Sequence, residues 1–223
     1  MASNAPMRDG TARPADVITN LVSVDGSIAH RYVSSSDLLS GRFAARNLAD
    51  SAHYLCTLHG RHPGVIDLAA TRIVHDAARD WMLSAVDGFA AERLILTQLA
   101  VAAGPLPSTP GQPESEAAVV GQRHALDMLA RSDRDGCALG AAAALVLDWS
   151  GMRSVLDVSA KKWGVTIATS SLPSAVETRA MIESVAVTPA VERAMGFGAQ
   201  QILNQHRGLW DLLEARHIAR GDY

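Results

Sequence analysis

Ionisable side chains interrupt the apolar faces of several helical segments in this chain of 223 residues. At about 100° per residue, Phe89, Ile95 and Leu99 fall on one helical face, and Glu92 lies in its middle. A buried carboxylate is costly unless it is paired or neutral, and burial raises its pKa towards the range useful for proton transfer. Glu92 is therefore a candidate general base, and a salt bridge to an arginine of a neighbouring helix is its structural alternative.

Asp148 and His206 interrupt two further apolar faces. Asp148 ends the most apolar run of the chain and shares a stripe with Met152, where an ion pair with Arg153 is the structural alternative. His206 lies on the inward face of the last predicted helix, although a histidine in such a place is more often a hydrogen-bonded core residue. If Glu92 or Asp148 points at His206, the two groups form an acid–base pair with useful pKa values.

A polar strip follows the first predicted helix beside aromatic residues. Asp50 and His53 are three positions apart, so the carboxylate can orient the imidazole as a general base. An exposed, solvated seam explains the same spacing, and the two interpretations stay open. The side chains that could contact a substrate, or equally belong to the core, are Asp50, Tyr54, Trp81, Gln122 and Trp149.

Metal-binding patterns are incomplete in the sequence. A carboxylate-bridged di-iron bundle needs Glu-x-x-His on two helices, and only Glu214 to His217 fits, with Asp50 to His53 as a shorter variant. Ligands from different helices need no fixed spacing, so a mononuclear iron or zinc site remains an alternative. Its ligands would come from Asp50, His53, Glu92, Asp148 and His206.

The chain has no HExxH motif, no phosphate-binding loop and no complete dinucleotide fingerprint. "GFGAQQ", residues 196–201, carries only half of that fingerprint and lies inside a helical pattern. The leading interpretation therefore requires neither an organic cofactor nor a metal.

Helical periodicity begins near Ser34 and continues to the end of the chain. Capping residues, prolines and glycines divide it into six predicted helices, over about 36–59, 63–104 with a kink near Arg79 to Gly88, 114–132, 135–163, 174–187 and 188–219. The fourth of them contains "CALGAAAALVLDW", which is apolar on every side and so belongs at the centre of a bundle.

The amino-terminal region is expected to differ from the rest. Residues 1–16 are polar and rich in small residues, and we predict a disordered tail. Asp25-Gly26 between β-branched runs favours a small β-hairpin over 17–33, although the alternation is imperfect and an isolated two-stranded ribbon is only marginally stable. The fold prediction is an all-α, single-domain bundle of about six helices over 17–223, with that hairpin as an optional addition.

Composition limits the partners of the chain. Hydrophobic residues make up 48%, which indicates a packed core, and 20 basic against 23 acidic residues do not favour nucleic acid. No apolar run reaches the roughly 18 residues of a membrane span. Cys56 and Cys137 lack paired spacing, so free thiols and a cytoplasmic location are expected. The pattern permits a homodimer.

Ionisable groups on different helices of one bundle are typical of a small-molecule pocket between helices. The leading interpretation is a cofactor-independent acid–base lyase or isomerase acting on a small apolar substrate, aromatic compounds included. Glu92 or Asp148 would be the base, and His53 or His206 the acid or oxyanion-stabilising group. The alternatives are a non-haem iron oxidase or oxygenase on the same bundle, and a non-catalytic helical module that binds a ligand or a partner.

Overall fold

The structure, a computed structural model, describes residues 13–72 and 74–221 of the chain. Within these ranges it is all-helical and contains no strand, which confirms the predicted all-α class. The α-helices are α1 Pro14–Asp25, α2 Ser36–Leu39, α3 Ala44–His59, α4 Val65–Ala70, α5 Arg79–Ala103, α6 Gln112–Ala130, α7 Cys137–Trp163, α8 Ala175–Val185 and α9 Pro189–Ala219. Two short 3-10 helices, Ser27–Ala29 and Asp76–Ala78, precede α2 and α5.

Helix α7 forms the centre of the bundle, as its all-round apolar sequence predicts. Every residue from Cys137 to Val146 is buried. The helix packs against α9 over most of its length and also contacts α3, α4, α5 and α6. One continuous buried apolar cluster includes residues from all of these helices.

Glycines bring α7 and α9 unusually close together. A Cβ atom at Gly140 would lie 2.1 Å from the Met195 carbonyl oxygen, and one at Gly198 would lie 2.0 Å from that of Cys137. Any side chain at these two positions would force the helices apart. The same helix pair carries the buried polar residues Asp148 and His206.

The boundaries of the later helices agree with the sequence within about two residues. Ser174 and Glu177 form the capping box of α8, and the Thr188 side chain accepts from the Val191 amide at the start of α9. Gly164 ends α7 with a positive φ of 67°. The capping residues are therefore sufficient to predict where these helices begin or end.

The predicted hairpin over 17–33 is wrong. Residues 14–25 form α1, because Ala15, Ile18 and Val22 recur at helical spacing and are buried against the bundle. Gly26 ends this helix in an extended conformation, and the 3-10 helix follows it. Of the predicted tail, residues 1–12 lie outside the described residues, whereas Pro14 to Asp16 belong to the first turn of α1.

Two predicted helices are each divided in the structure. The segment 36–59 consists of α2 and α3, and the Gly41 amide donates to the Ser36 carbonyl where the chain turns between them. The segment 63–104 breaks before Arg79, where exposed residues offer no apolar face for a longer helix to bury. Helix α5 continues through Gly88 without a break, and Gly88 admits the backbone of Ser171, whose oxygen would lie 2.9 Å from an added Cβ.

No helix in the described ranges is long and apolar enough to cross a membrane.

Candidate functional site

Asp148 of α7 and His206 of α9 face each other in the interior of the bundle. The Nδ1 atom of His206 lies 2.7 Å from Oδ2 of Asp148, and both side chains are essentially inaccessible to solvent. The contact between His206 and a carboxylate that the sequence suggested therefore forms, with Asp148 and not with Glu92. The close α7–α9 packing brings the two residues within hydrogen-bonding distance.

Asp148 also anchors the 3-10 helix that follows α1. The Ser27 backbone amide donates to Oδ1 at 2.6 Å, and the Ser27 hydroxyl donates to Oδ2 at 2.7 Å. With Nδ1 of His206, Asp148 therefore accepts from three donors, which fits an ionised carboxylate because that group can only accept hydrogen bonds. Residue 26 must be a glycine for the chain to come this close to Asp148, because a Cβ atom at Gly26 would lie 2.6 Å from Asp148 Oδ1.

A second buried histidine extends the pair into an array. Nε2 of His59, the last residue of α3, lies 3.1 Å from Nε2 of His206. Because the ionised Asp148 accepts from Nδ1 of His206, a neutral His206 accepts at Nε2, and His59 donates its Nε2 proton there. The lone pair of His59 is then on Nδ1, which makes no hydrogen bond to any described residue.

Aromatic rings surround His59. Phe89 and Trp149 contact its imidazole edge-to-face, with ring centroids 6.1 and 5.7 Å away. Burial, and to a lesser degree the nearby His206, hold the pKa of His59 well below its ordinary value. His59 is therefore neutral near pH 7, which is the form of a histidine that can accept a proton.

The outer edge of His59 lines a narrow crevice between α3, α4, α5 and α6. The crevice is narrow beside His59, where it has a volume of about 10 Å³, enough for about one water molecule, and it widens only towards the solvent. Leu58, Val65, Phe89 and Leu126 contribute apolar walls, and the loop after α3, with its cis His62–Pro63 peptide bond, forms one side. His59 is the member of the array that lines the crevice.

The array can move a proton between the crevice and the protein interior. If Nδ1 of His59 takes a proton, its Nε2 proton can pass to Nε2 of His206. The resulting imidazolium of His206 lies beside the Asp148 carboxylate, which stabilises the positive charge. Ser27 holds that carboxylate in place.

Glu92 has the structural role that the sequence offered as its alternative. Nη1 of Arg153 donates to both carboxylate oxygens of Glu92, at 2.8 and 3.0 Å. Arg153 also donates from Nε to Asp157 and from Nη2 to the Ala168 carbonyl. Glu92 is thus fully engaged in an ion pair that ties α5 to α7 and to the segment after α7.

The predicted Asp50–His53 pair does not form. Asp50 accepts from Arg216 at 3.1 and 3.3 Å and from Arg220 at 2.7 Å. Nε2 of His53 donates instead to the Gly104 carbonyl at 2.8 Å. The Asp50 carboxylate is thus engaged with two arginines at the end of α9, and charge-assisted bonds of this kind are strong.

The predicted substrate contacts divide between several places. Trp149 touches His59 and therefore lies beside the array. Tyr54 lies under the Arg216 guanidinium, 4.9 Å from its ring centroid. Trp81 donates to Thr178 at 3.0 Å, and Gln122 donates to the Gln205 carbonyl at 3.3 Å. Asp50, Tyr54, Trp81 and Gln122 do not line the crevice at His59.

One group of three candidate metal ligands occurs in the described ranges, and it involves none of the five residues proposed from sequence. It consists of His30, Asp211 and Glu214. The Tyr32 amide donates to Nδ1 of His30, which places the ring proton on Nε2, where it donates to Asp211 at 3.0 Å. This tautomer leaves no lone pair on His30 for a cation, so the cluster fits a hydrogen-bonded surface pair.

Sequence reasoning missed His59 and Ser27. His59 is the last residue of the helix predicted over 36–59, and it falls four residues after Leu55 on the buried stripe of α3. The criterion that identified His206, an ionisable residue on an apolar helical face, applies to His59 as well. Nothing in the local sequence marks Ser27, because its role depends on where α1 packs.

The fold and the site define an all-helical protein with a buried Asp–His–His array that opens onto a surface crevice. A family model matches residues 22–221, so the chain belongs to DUF6975, a family of unknown function. No curated protein and no solved structure matches the chain.

Proposed function

We propose that this protein is a cofactor-independent acid–base enzyme, a lyase or isomerase, that binds a small molecule in the crevice and exchanges protons with it through His59. The observation that carries the proposal is the position of the His59 imidazole between the crevice and the fully buried Asp148–His206 pair. A core histidine needs only one hydrogen-bonding partner, whereas this arrangement links three titratable groups in series.

Each residue of the array has a separate role in the proposed reaction. Nδ1 of His59 accepts a proton from a substrate C–H or O–H bond, and the electron pair of that bond stays on the substrate. Passage of the Nε2 proton to His206 moves the positive charge away from the crevice and towards Asp148. Return of the proton to another atom of the substrate, or to a leaving group, gives isomerisation or elimination, respectively.

The aromatic neighbours of His59 support this proposal. A site walled by Phe89 and Trp149 excludes water and keeps His59 neutral, so its lone pair is available. Leu58, Val65, Phe89 and Leu126 line the crevice, so a short hydrocarbon or aromatic group would meet apolar side chains once movement of these side chains widens it.

A direct test measures proton exchange on carbon. A panel of small ketones and aromatic acids is incubated with the protein in D₂O, and deuterium incorporation is followed by ¹H NMR. We expect catalysed exchange for at least one compound class, lost in His59→Gln and His206→Gln. His53→Gln is the matched control, because His53 is a histidine of the same helix that bonds only a backbone carbonyl.

Equal exchange by wild-type protein and His59→Gln would overturn the proposal. Absence of exchange with every compound, together with a gain in stability on replacing His59, would favour the non-catalytic binding module.

A further inference from the structure

We propose that the ligand of the crevice carries an oxyanion group, a carboxylate or a phosphate, which Arg61 and Arg123 bind. This inference rests on the proposed function, since it names the class of molecule that would reach His59. Both arginines line the same crevice as His59. They come from different elements, Arg61 from the loop after α3 and Arg123 from the middle of α6.

Neither guanidinium has a partner among the described residues. No hydrogen bond or ion pair within 4.0 Å joins Arg61 or Arg123 to any of them. Asp127 lies one turn after Arg123 on the same helix and also lines the crevice, yet the two do not pair. This contrasts with the other arginines next to buried groups, such as Arg153 and Arg216, which are all engaged with carboxylates.

The remaining acidic group nearby is already neutralised. Asp67 accepts from Nη1 and Nη2 of Arg93 at 2.8 and 3.0 Å, and from the Gly64 amide at 2.8 Å. Its charge is therefore balanced by Arg93 and not by Arg61 or Arg123. The crevice thus presents two unpaired guanidinium groups against the single carboxylate of Asp127, around a neutral histidine.

An excess of one positive charge at the mouth of the crevice favours an anion. The guanidinium fork matches the two oxygens of a carboxylate or phosphate, and such charge-assisted bonds are stronger than neutral ones. Arg61 is exposed and Arg123 is half-buried, so the anion would be held at the mouth of the crevice, with one side against its apolar residues. In this position the two arginines would also stabilise negative charge that develops when His59 removes a proton.

The test uses benzoate and inorganic phosphate as separate probes, with benzyl alcohol as the uncharged counterpart of benzoate. Binding is measured by isothermal titration calorimetry and by the shift of the His59 imidazole resonances in NMR. We expect one of the two anions to bind and benzyl alcohol to bind at least about tenfold more weakly. Binding of benzoate alone assigns the ligand to carboxylates, and binding of phosphate alone assigns it to phosphorylated compounds.

Arginine variants connect that binding to the crevice. Arg61→Gln and Arg123→Gln should each weaken anion binding by about tenfold. Arg131→Gln is the matched control, because Arg131 lies at the end of the same helix as Arg123, is exposed and does not line the crevice. Unchanged binding in both variants, equal loss in Arg131→Gln, or failure of both anions to bind would overturn the inference.

His59→Gln separates the two proposals. If the variant still binds the anion but no longer catalyses exchange, both stand. If wild-type protein binds the anion through Arg61 and Arg123 but exchanges no proton, the anion site stands and the acid–base function fails.

Discussion

His206 donates a hydrogen bond of 2.7 Å to Asp148 across a separation of 58 residues in the chain. The bond joins α7 and α9, whose backbones meet at glycines. On the opposite side of the His206 ring, Nε2 lies 3.1 Å from Nε2 of His59. This relationship determines what each residue of the array contributes.

Asp148→Asn should abolish most of the proton transfer. An amide carries no negative charge to stabilise the His206 imidazolium, and the ring can adopt the other tautomer. We expect the exchange rate to fall by about 10²–10⁴-fold, with a loss of about 1–3 kcal/mol in the free energy of unfolding. Steady-state exchange and urea unfolding measure the two effects, and an unchanged rate would contradict the proposed relay.

The stability of the protein should fall in mildly acid solution because of His59. Its pKa is lowered in the folded state, so between that value and the ordinary one of about 6.5 the unfolded chain binds more protons. The stabilising contribution is complete above about pH 6.5 and is lost as the pH falls below it, with a slope of up to about 1.4 kcal/mol per pH unit.

Urea unfolding from about pH 8 to about pH 5 tests this dependence. The difference between wild-type protein and His59→Gln isolates the histidine from other titrating groups. A difference that does not change with pH would show that His59 titrates normally when folded.

Glu92→Gln should lower stability without affecting proton transfer in the folded fraction. It leaves the Arg153 guanidinium largely buried and without its main carboxylate partner, which costs about 3–5 kcal/mol for a buried pair. The double variant Glu92→Gln/Arg153→Met should recover part of that loss, because it removes both charges. A proportional loss of exchange per folded molecule would instead place Glu92 in the reaction.

Two glycine variants in α7 and α9 should change stability in opposite directions. Gly140→Ala places a Cβ 2.1 Å from the Met195 carbonyl oxygen, and we expect a loss of about 2–4 kcal/mol with weaker contact between Asp148 and His206. Gly196→Ala meets nothing within 4 Å and should stabilise the helix by about 0.5–1 kcal/mol.

Thermal unfolding and the NMR resonances of His206 report both effects. If the two variants behave alike, the close contact between the helices does not control the array.

The sequence predicted those features that depend on local chemistry. Helical periodicity established the class, and caps at Ser174 and Thr188 established the later boundaries. The hairpin prediction was wrong because Asp25-Gly26 favours a turn after a helix as well as after a strand. The single domain, the homodimer and the cytoplasmic location remain predictions.

The candidate site was predictable in part. Helical periodicity shows that Asp148 and His206 interrupt apolar faces. It does not show which carboxylate meets which base, so Glu92 and Asp148 could not be distinguished. Arg153 binds Glu92 and Ser27 binds Asp148, and only tertiary packing brings these partners into contact.

The array crosses three helices, since His59, His206 and Asp148 come from α3, α9 and α7, and no helix holds two of its members. A compact state that keeps its helices but loses fixed side-chain packing would have every residue of the array and none of its contacts. During gradual denaturation, activity should therefore disappear with the near-ultraviolet circular dichroism of the aromatic residues, while the far-ultraviolet helix signal persists. In such a state, helix content would give no information about function.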